Sequence, residues 1–166
     1  ASDEVVLLAN PLSSDMNALR PSLLPGLLDS LSHNLTRRNG DVQLFEIGRV
    51  FSLQNGVARE GWRVAIALTG ARDPRFWSGA DRDAKADVYD LKGLVEELIE
   101  RLGLRGVAYA RRPESTPLML ESAAITLGGK LPLGQLGQLL PTLAKRYDLR
   151  DAVLLAELDL DALLAR

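Results

Sequence analysis

The chain has 166 residues, with 20 Lys+Arg against 22 Asp+Glu, one His and no Cys. That length suits one domain with a real hydrophobic core, and 46% hydrophobic with 25% charged residues excludes a disordered chain. Disulfides, thiolate chemistry and a Cys- or His-rich metal cluster are excluded, and a net charge of -2 argues against binding nucleic acid through bulk electrostatics. No apolar run approaches the roughly 20 residues that cross a bilayer. Ala1-Ser2, with no Met and no charged-then-apolar leader, reads as a cut or cloned start.

In chain order, Val5 to Ala9 is a short apolar run ended by Asn10-Pro11, which predicts a strand entering a turn. Leu23, Leu24, Leu27, Leu28, Leu31 and Leu35 then recur at helical spacing, predicting a helix over about 22–37 with one broad apolar stripe. Ser22 suits its N-cap, Pro25 its first turn, Arg37-Arg38 its last turn, and Asn39-Gly40 its stop. Residues 42–51 carry apolar side chains on both parities, which predicts a strand buried on both faces. Gln54-Asn55-Gly56 supplies a hairpin turn, and Trp62, Val64, Ile66 and Leu68 alternate along the partner strand over 62–69. Residues 70–86 form a long polar connection with Phe76-Trp77 as its aromatic anchor.

Asp90 is the expected cap of a second helix over 91–102, closed by Gly103. Val107 to Ala110 is a strand, and Ala123, Ile125 and Leu127 lead through Gly128-Gly129 into another hairpin. Pro141 opens a short helix to Tyr147, Val153 to Leu158 is the last strand, and Asp159 caps a terminal turn. Hairpins with singly inserted helices point to the α+β class, a mainly antiparallel sheet flanked by helices.

Few residues offer chemistry. Gly128-Gly129-Lys130 lacks the spacing and the following helix of a phosphate-binding loop, so it reads as a hairpin turn. His33 lies off the apolar stripe without an evident partner and reads as solvated. Asp81, Asp83 and Asp87 alternate with Arg82 and Lys85 as a solvated loop, and Arg111-Arg112 beside Tyr109 as solvated cations. Glu46 and Arg49 interrupt an apolar strand, where a charge needs a partner. Three apart, they point to opposite faces, so each is expected to meet a neighbouring element at the sheet rim.

Three ordered blocks carry a family resemblance: Leu8-Ala9-Asn10-Pro11-Leu12-Ser13, then Leu19-Arg20-Pro21-Ser22-Leu23-Leu24-Pro25-Gly26-Leu27-Leu28, then Leu44-Phe45-Glu46-Ile47-Gly48-Arg49-Val50-Phe51. Together with Tyr89-Asp90-Leu91-Lys92-Gly93, Leu136-Gly137-Gln138, Leu140-Pro141 and Glu157-Leu158-Asp159, the chain resembles the bacterial phenylalanyl-tRNA synthetase beta chain. It departs from that family in having Leu140 before Pro141, and no His between Thr116 and Glu121.

The resemblance implies a degenerate class II synthetase catalytic domain, residues 1–166 forming one non-catalytic domain excised from a longer beta chain. It implies a scaffold assembling with the catalytic alpha subunit, two alpha and two beta chains in all. The parent complex, a cytoplasmic ligase, attaches phenylalanine to its tRNA with ATP and magnesium, and this domain itself would hold no cofactor, metal or catalytic residue. The segment matching the class II interface helix implies subunit-interface positions Arg20, Leu23, Leu24, Leu27, Leu28, Leu31 and Leu35, with one side of the stripe on the chain's own sheet and the other on the alpha chain. Class II enzymes place an Arg before Glu in one strand and another after a Gly-rich strand. Here Arg49 follows Glu46, and Gly134 and Gly137 precede Gln135 and Gln138, so both phosphate-binding arginines read as lost. The alternative is a stand-alone nucleotide- or RNA-binding enzyme domain of class II type.

Overall fold

In a computed structural model, residues 5–37, 40–73 and 83–165 are described. The elements are α1 (Leu24–Thr36), β1 (Val42–Gln54), β2 (Val57–Thr69), α2 (Val88–Arg101), β3 (Val107–Arg112), β4 (Met119–Leu127), β5 (Leu131–Leu139), α3 (Pro141–Arg146), β6 (Val153–Asp159) and α4 (Leu160–Leu164). The six strands form one sheet in the order β1-β2-β6-β5-β4-β3, and every neighbouring pair is antiparallel. Arg38, Asn39, Phe76-Trp77, Asp81 and Arg82, to which the sequence assigned roles, lie outside the described residues.

Strand alternation gives the sheet two apolar faces, and helices cover both. On one face, Leu24, Leu27, Leu28 and Leu31 of α1 pack with Val42, Val50, Ala65, Ala67, Met119 and Leu155, and Leu143 and Ala144 of α3 join them. On the other, Leu91, Val95 and Ile99 of α2 and Leu163 of α4 meet Val64, Leu68, Ile125, Leu136, Leu154 and Leu158. β2 and β6 lie inside the sheet under both layers, so Ala65, Ala67 and Thr69 are buried along with Val64 and Leu68.

The Asn55-Gly56 turn between β1 and β2 has φ of 52° and 75°. Two left-handed residues in succession match the twist of a two-residue hairpin. The second helix is capped by Asp87, whose side chain accepts from the Tyr89 and Asp90 N–H groups, while Asp90 returns a bond to the Asp87 N–H. Asp90, the expected cap, is therefore the N3 partner of a capping box. Desolvation pushes the Asp90 carboxyl up, but the Asp87 N–H and the Arg72 guanidinium outweigh it and hold it below its ordinary value.

Three other expectations change. The predicted strand at Val5 to Ala9 is an isolated bridge between Leu7 and Ala18. Its residues are mostly exposed and pair only with their own return segment, so no sheet surface rewards a longer ladder. The first helix starts at Leu24, not Ser22, although Ser22 Oγ still accepts the Leu24 N–H at 3.1 Å. β1 is buried on one face alone, because it is the sheet edge and α2 packs over β5 and β6.

Candidate functional site

The charged residues inside the strands converge on the segment leading into α1. Arg20 lies across β1: its Nη1 donates to Glu46 Oε1 at 2.7 Å and its Nε to the Arg49 carbonyl at 3.0 Å. The Arg20 carbonyl accepts the Phe51 N–H at 2.9 Å, so main chain and side chain together line the outer edge of the strand. Gly48 makes room for this crossing. A Cβ there would stand 2.3 Å from Arg20 Nη2 and 3.1 Å from Leu23 Cδ2.

Two residues on, the chain is hooked to β6. Glu157 Oε2 accepts both the Ser22 hydroxyl and the Leu23 N–H, each at 2.8 Å. A carboxylate from a distant strand thus satisfies a free N–H at the head of α1, where its charge also suits the helix dipole. Local sequence pattern does not reveal this role of Glu157. The signal was present, since a carboxylate between Ala156 and Leu158 in a buried strand requires a donor.

Beside Glu157 is a shallow cleft of about 260 Å³ lined by Arg63, Arg112, Gln135, Glu157 and Asp159. Arg63 Nη1 is 2.5 Å from Asp159 Oδ2, so that arginine is neutralised within the chain. A triphosphate needs unpaired cations converging on one point, and this face pairs Arg20 with Glu46 and Arg63 with Asp159. No group of three or more His, Cys, Asp or Glu among the described residues is arranged to hold a metal.

The remaining sequence candidates are dispersed. Arg49 sits on the opposite face from Glu46, 5.1 Å over the Trp62 ring and 3.6 Å from Glu60, as expected of a rim charge. His33 is exposed, Arg111 pairs with Glu121 at 3.3 Å, and Gly128-Gly129-Lys130 is a hairpin turn. Tyr109 is partly buried beneath the Lys92 ammonium, 4.8 Å from its ring, and its hydroxyl has no hydrogen-bond partner. Burial, and then the Glu96 carboxylate, push its pKa up to about 12.

The leucine stripe departs from expectation. Leu23, Leu24, Leu27, Leu28 and Leu31 are between 0% and 3% exposed, and Leu35 packs half-buried against the same cluster. Both sides of the stripe close on the chain's own sheet, because the Glu157 hook seats the helix flat on it. These five leucines leave no free side within the stripe for a partner. Of the seven predicted interface positions Arg20 is exposed, and its guanidinium is held by Glu46 and the Arg49 carbonyl.

The family model described as phenylalanyl tRNA synthetase beta chain CLM domain matches residues 1–160. The chain belongs to that family. Relatives named phenylalanine–tRNA ligase beta subunit include that of Nitratidesulfovibrio vulgaris, 34% identical over 166 residues, covering 98% of this chain and 20% of the relative. The Bacillus subtilis beta subunit is 37% identical over 162 residues, covering 96% of this chain and 20% of its own length. This CLM domain therefore spans about a fifth of the length of the curated relatives it matches. Its fold is that of a class II tRNA synthetase: pyrrolysyl-tRNA synthetase from Desulfitobacterium hafniense superposes with a TM-score of 0.71 at 16% identity, over 97% of this chain and 52% of that one. Within the three ordered sequence blocks quoted above, Arg20, Ser22, Glu46 and Gly48 are the residues that tie the start of α1 to the sheet.

Proposed function

We propose that this chain is a single non-catalytic, synthetase-like domain of a phenylalanine–tRNA ligase beta subunit, acting as a scaffold for a catalytic alpha subunit. In this reading two alpha and two beta chains assemble in the cytoplasm, and the complex joins phenylalanine to its tRNA using ATP and magnesium. The domain itself takes no cofactor and meets tRNA only through the complex. No helix among the described residues is long and apolar enough to cross a membrane.

The observation that carries this reading is the occupied sheet face. Glu157 is committed to Ser22 and Leu23, Glu46 to Arg20, and Asp159 to Arg63. Each is an intramolecular pair that a nucleotide would have to break before binding, with Arg112 the one further cation lining the cleft. Such a face serves holding in place of group transfer.

Calorimetry of the chain with ATP and magnesium, beside co-purification with a phenylalanyl-tRNA synthetase alpha chain, tests the proposal. The expected result is no saturable heat at sub-millimolar ATP together with recovery of the alpha chain. A clear ATP isotherm would replace the scaffold with the nucleotide-binding reading.

A further inference from the structure

Between α3 and the start of β6 lies an open cleft of about 510 Å³, lined in part by Thr142, Lys145, Leu149, Arg150 and Asp151. Among the described residues, none forms an ion pair or a side-chain hydrogen bond with Lys145 or Arg150. Asp151, the carboxylate in the same lining, is held by Lys85 at 3.2 Å. The cleft beside Glu157 is the reverse case, because there Arg63 is bound to Asp159.

The turn between the two cations is pinned. α3 ends in a Schellman motif: the Leu149 N–H donates to the Ala144 carbonyl at 2.9 Å, and the Asp148 N–H to the Lys145 carbonyl at 3.2 Å. Asp148 takes the left-handed position at φ 55°, and Leu149 is buried in the α1-side core with Leu143 and Ala144. Ser32 Oγ of α1 donates to the Tyr147 carbonyl at 2.8 Å. These carbonyls at the end of α3 are therefore satisfied without Lys145 or Arg150, so neither cation is needed as a cap. Both stand at the ends of a fixed turn with no partner of their own.

The Ser32 bond also brings the end of α1 to this turn. Arg37, the C-cap of α1, and Arg146, in the last turn of α3, are exposed there, and neither pairs with a described carboxylate. Asp148 is the opposing charge within the turn. In a chain of net charge -2, this is a local positive surface that runs from the cleft to the end of α1. A row of cations suits a chain of phosphates better than one compact anion.

We infer that the Lys145–Arg150 cleft, with Arg146 and Arg37 beside it, holds a backbone phosphate of RNA. This rests on the scaffold reading above and deepens it: within the assembled complex, the domain gives the bound tRNA a contact that carries no base specificity. The Arg150 guanidinium can take two phosphate oxygens at once, and Lys145 supplies a point charge beside it.

The test uses the full-length beta chain assembled with alpha, and tRNA as the probe. Lys145→Gln with Arg150→Gln should raise the Kd for tRNA about three- to tenfold and reduce the slope of log K against log salt by about one to two. Assembly, and kcat at saturating tRNA, should be unchanged. Arg59→Gln with Lys130→Gln removes the same charge from exposed positions on the β1–β2 and β4–β5 hairpins, and should leave Kd and slope near wild type. Unchanged Kd and slope in the cleft variant, or an equal change in the hairpin variant, overturns the inference. Loss of assembly in the cleft variant overturns it as well, giving these cations to an acidic segment elsewhere in the complex. Inorganic phosphate should displace tRNA no better than chloride of equal ionic strength, and selective displacement would give the cleft to a free phosphate instead. If wild-type chains do not assemble with alpha at all, the scaffold reading falls and this contact with it.

Discussion

The Glu157 carboxylate accepts the main-chain N–H of Leu23 at 2.8 Å across 134 residues of sequence. One oxygen also holds the Ser22 hydroxyl, so the start of α1 is fixed to β6 and not merely laid on it. Hydrogen bonds to a charged group are worth about 1.5–3 kcal/mol. Glu157→Ala should lower unfolding free energy by about 2 kcal/mol in urea, and Glu157→Gln by about half of that. A loss below about 0.5 kcal/mol for Ala would mean that water caps the helix equally well.

Gly48 and Arg20 should behave as one unit. Gly48→Ala puts a methyl 2.3 Å from Arg20 Nη2, expelling the guanidinium and parting it from Glu46. We expect about 1–2 kcal/mol of destabilisation in the parent and much less in an Arg20→Ala background, a coupling of about 1 kcal/mol. Equal costs in both backgrounds would show that Gly48 answers to Leu23 instead.

Leu27 and Leu31 are core residues, and truncation should be read in stability. Leu31→Ala is expected to cost about 2–5 kcal/mol by chemical denaturation of the isolated chain. A folded variant of unchanged stability would reopen the helix as a free surface.

Tyr109 makes the fold sensitive to alkali. Its pKa of about 12 lies above the ordinary 10.0, so the folded state keeps the proton that the unfolded state gives up. The stability it contributes is complete below pH 10 and is lost as pH rises towards 12. Tyr109→Phe should flatten stability across that window, and removing an unpartnered hydroxyl should leave neutral-pH stability equal or slightly higher. An unchanged alkaline profile would refute the assignment.

Asp90 acts in the opposite direction. Its lowered pKa means that the capping box stabilises the fold above the ordinary carboxyl value of 3.8 and is lost as pH falls through the lower, folded value. Fraying of the first turn of α2 in acid, followed by amide chemical shifts of residues 88–91, should be absent in Asp90→Asn.

Much of this was legible in the chain. Leucine periodicity gave α1, Asn55-Gly56 the hairpin turn, Gly103 and Gly128-Gly129 the stops, and strand parity sent Glu46 and Arg49 to opposite faces. What escaped depends on neighbours that local pattern does not reveal. Phe45 and Ile47 have the composition of a doubly buried strand, yet β1 lies at the edge, and position in a sheet is a property of topology. The Glu157–Leu23 bond joins residues 134 apart in sequence. The leucine stripe was read correctly as apolar and wrongly as partly free, because its width measures how much surface it can bury and not against whom.

β6 is the last strand in sequence and lies between β2 and β5, the only link between the β1–β2 hairpin and the β3–β4–β5 meander among the described residues. A chain emerging from a ribosome would hold two separate ribbons, each with an unsatisfied inner edge, until residue 159 is out. α1 would wait as well, since its anchor Glu157 arrives with the same strand. Folding is therefore decided late, by contacts distant in sequence, which favours slow completion and a period of dependence on protection from aggregation. A truncation ahead of Val153 should leave two ribbons that do not join, however well each hairpin forms.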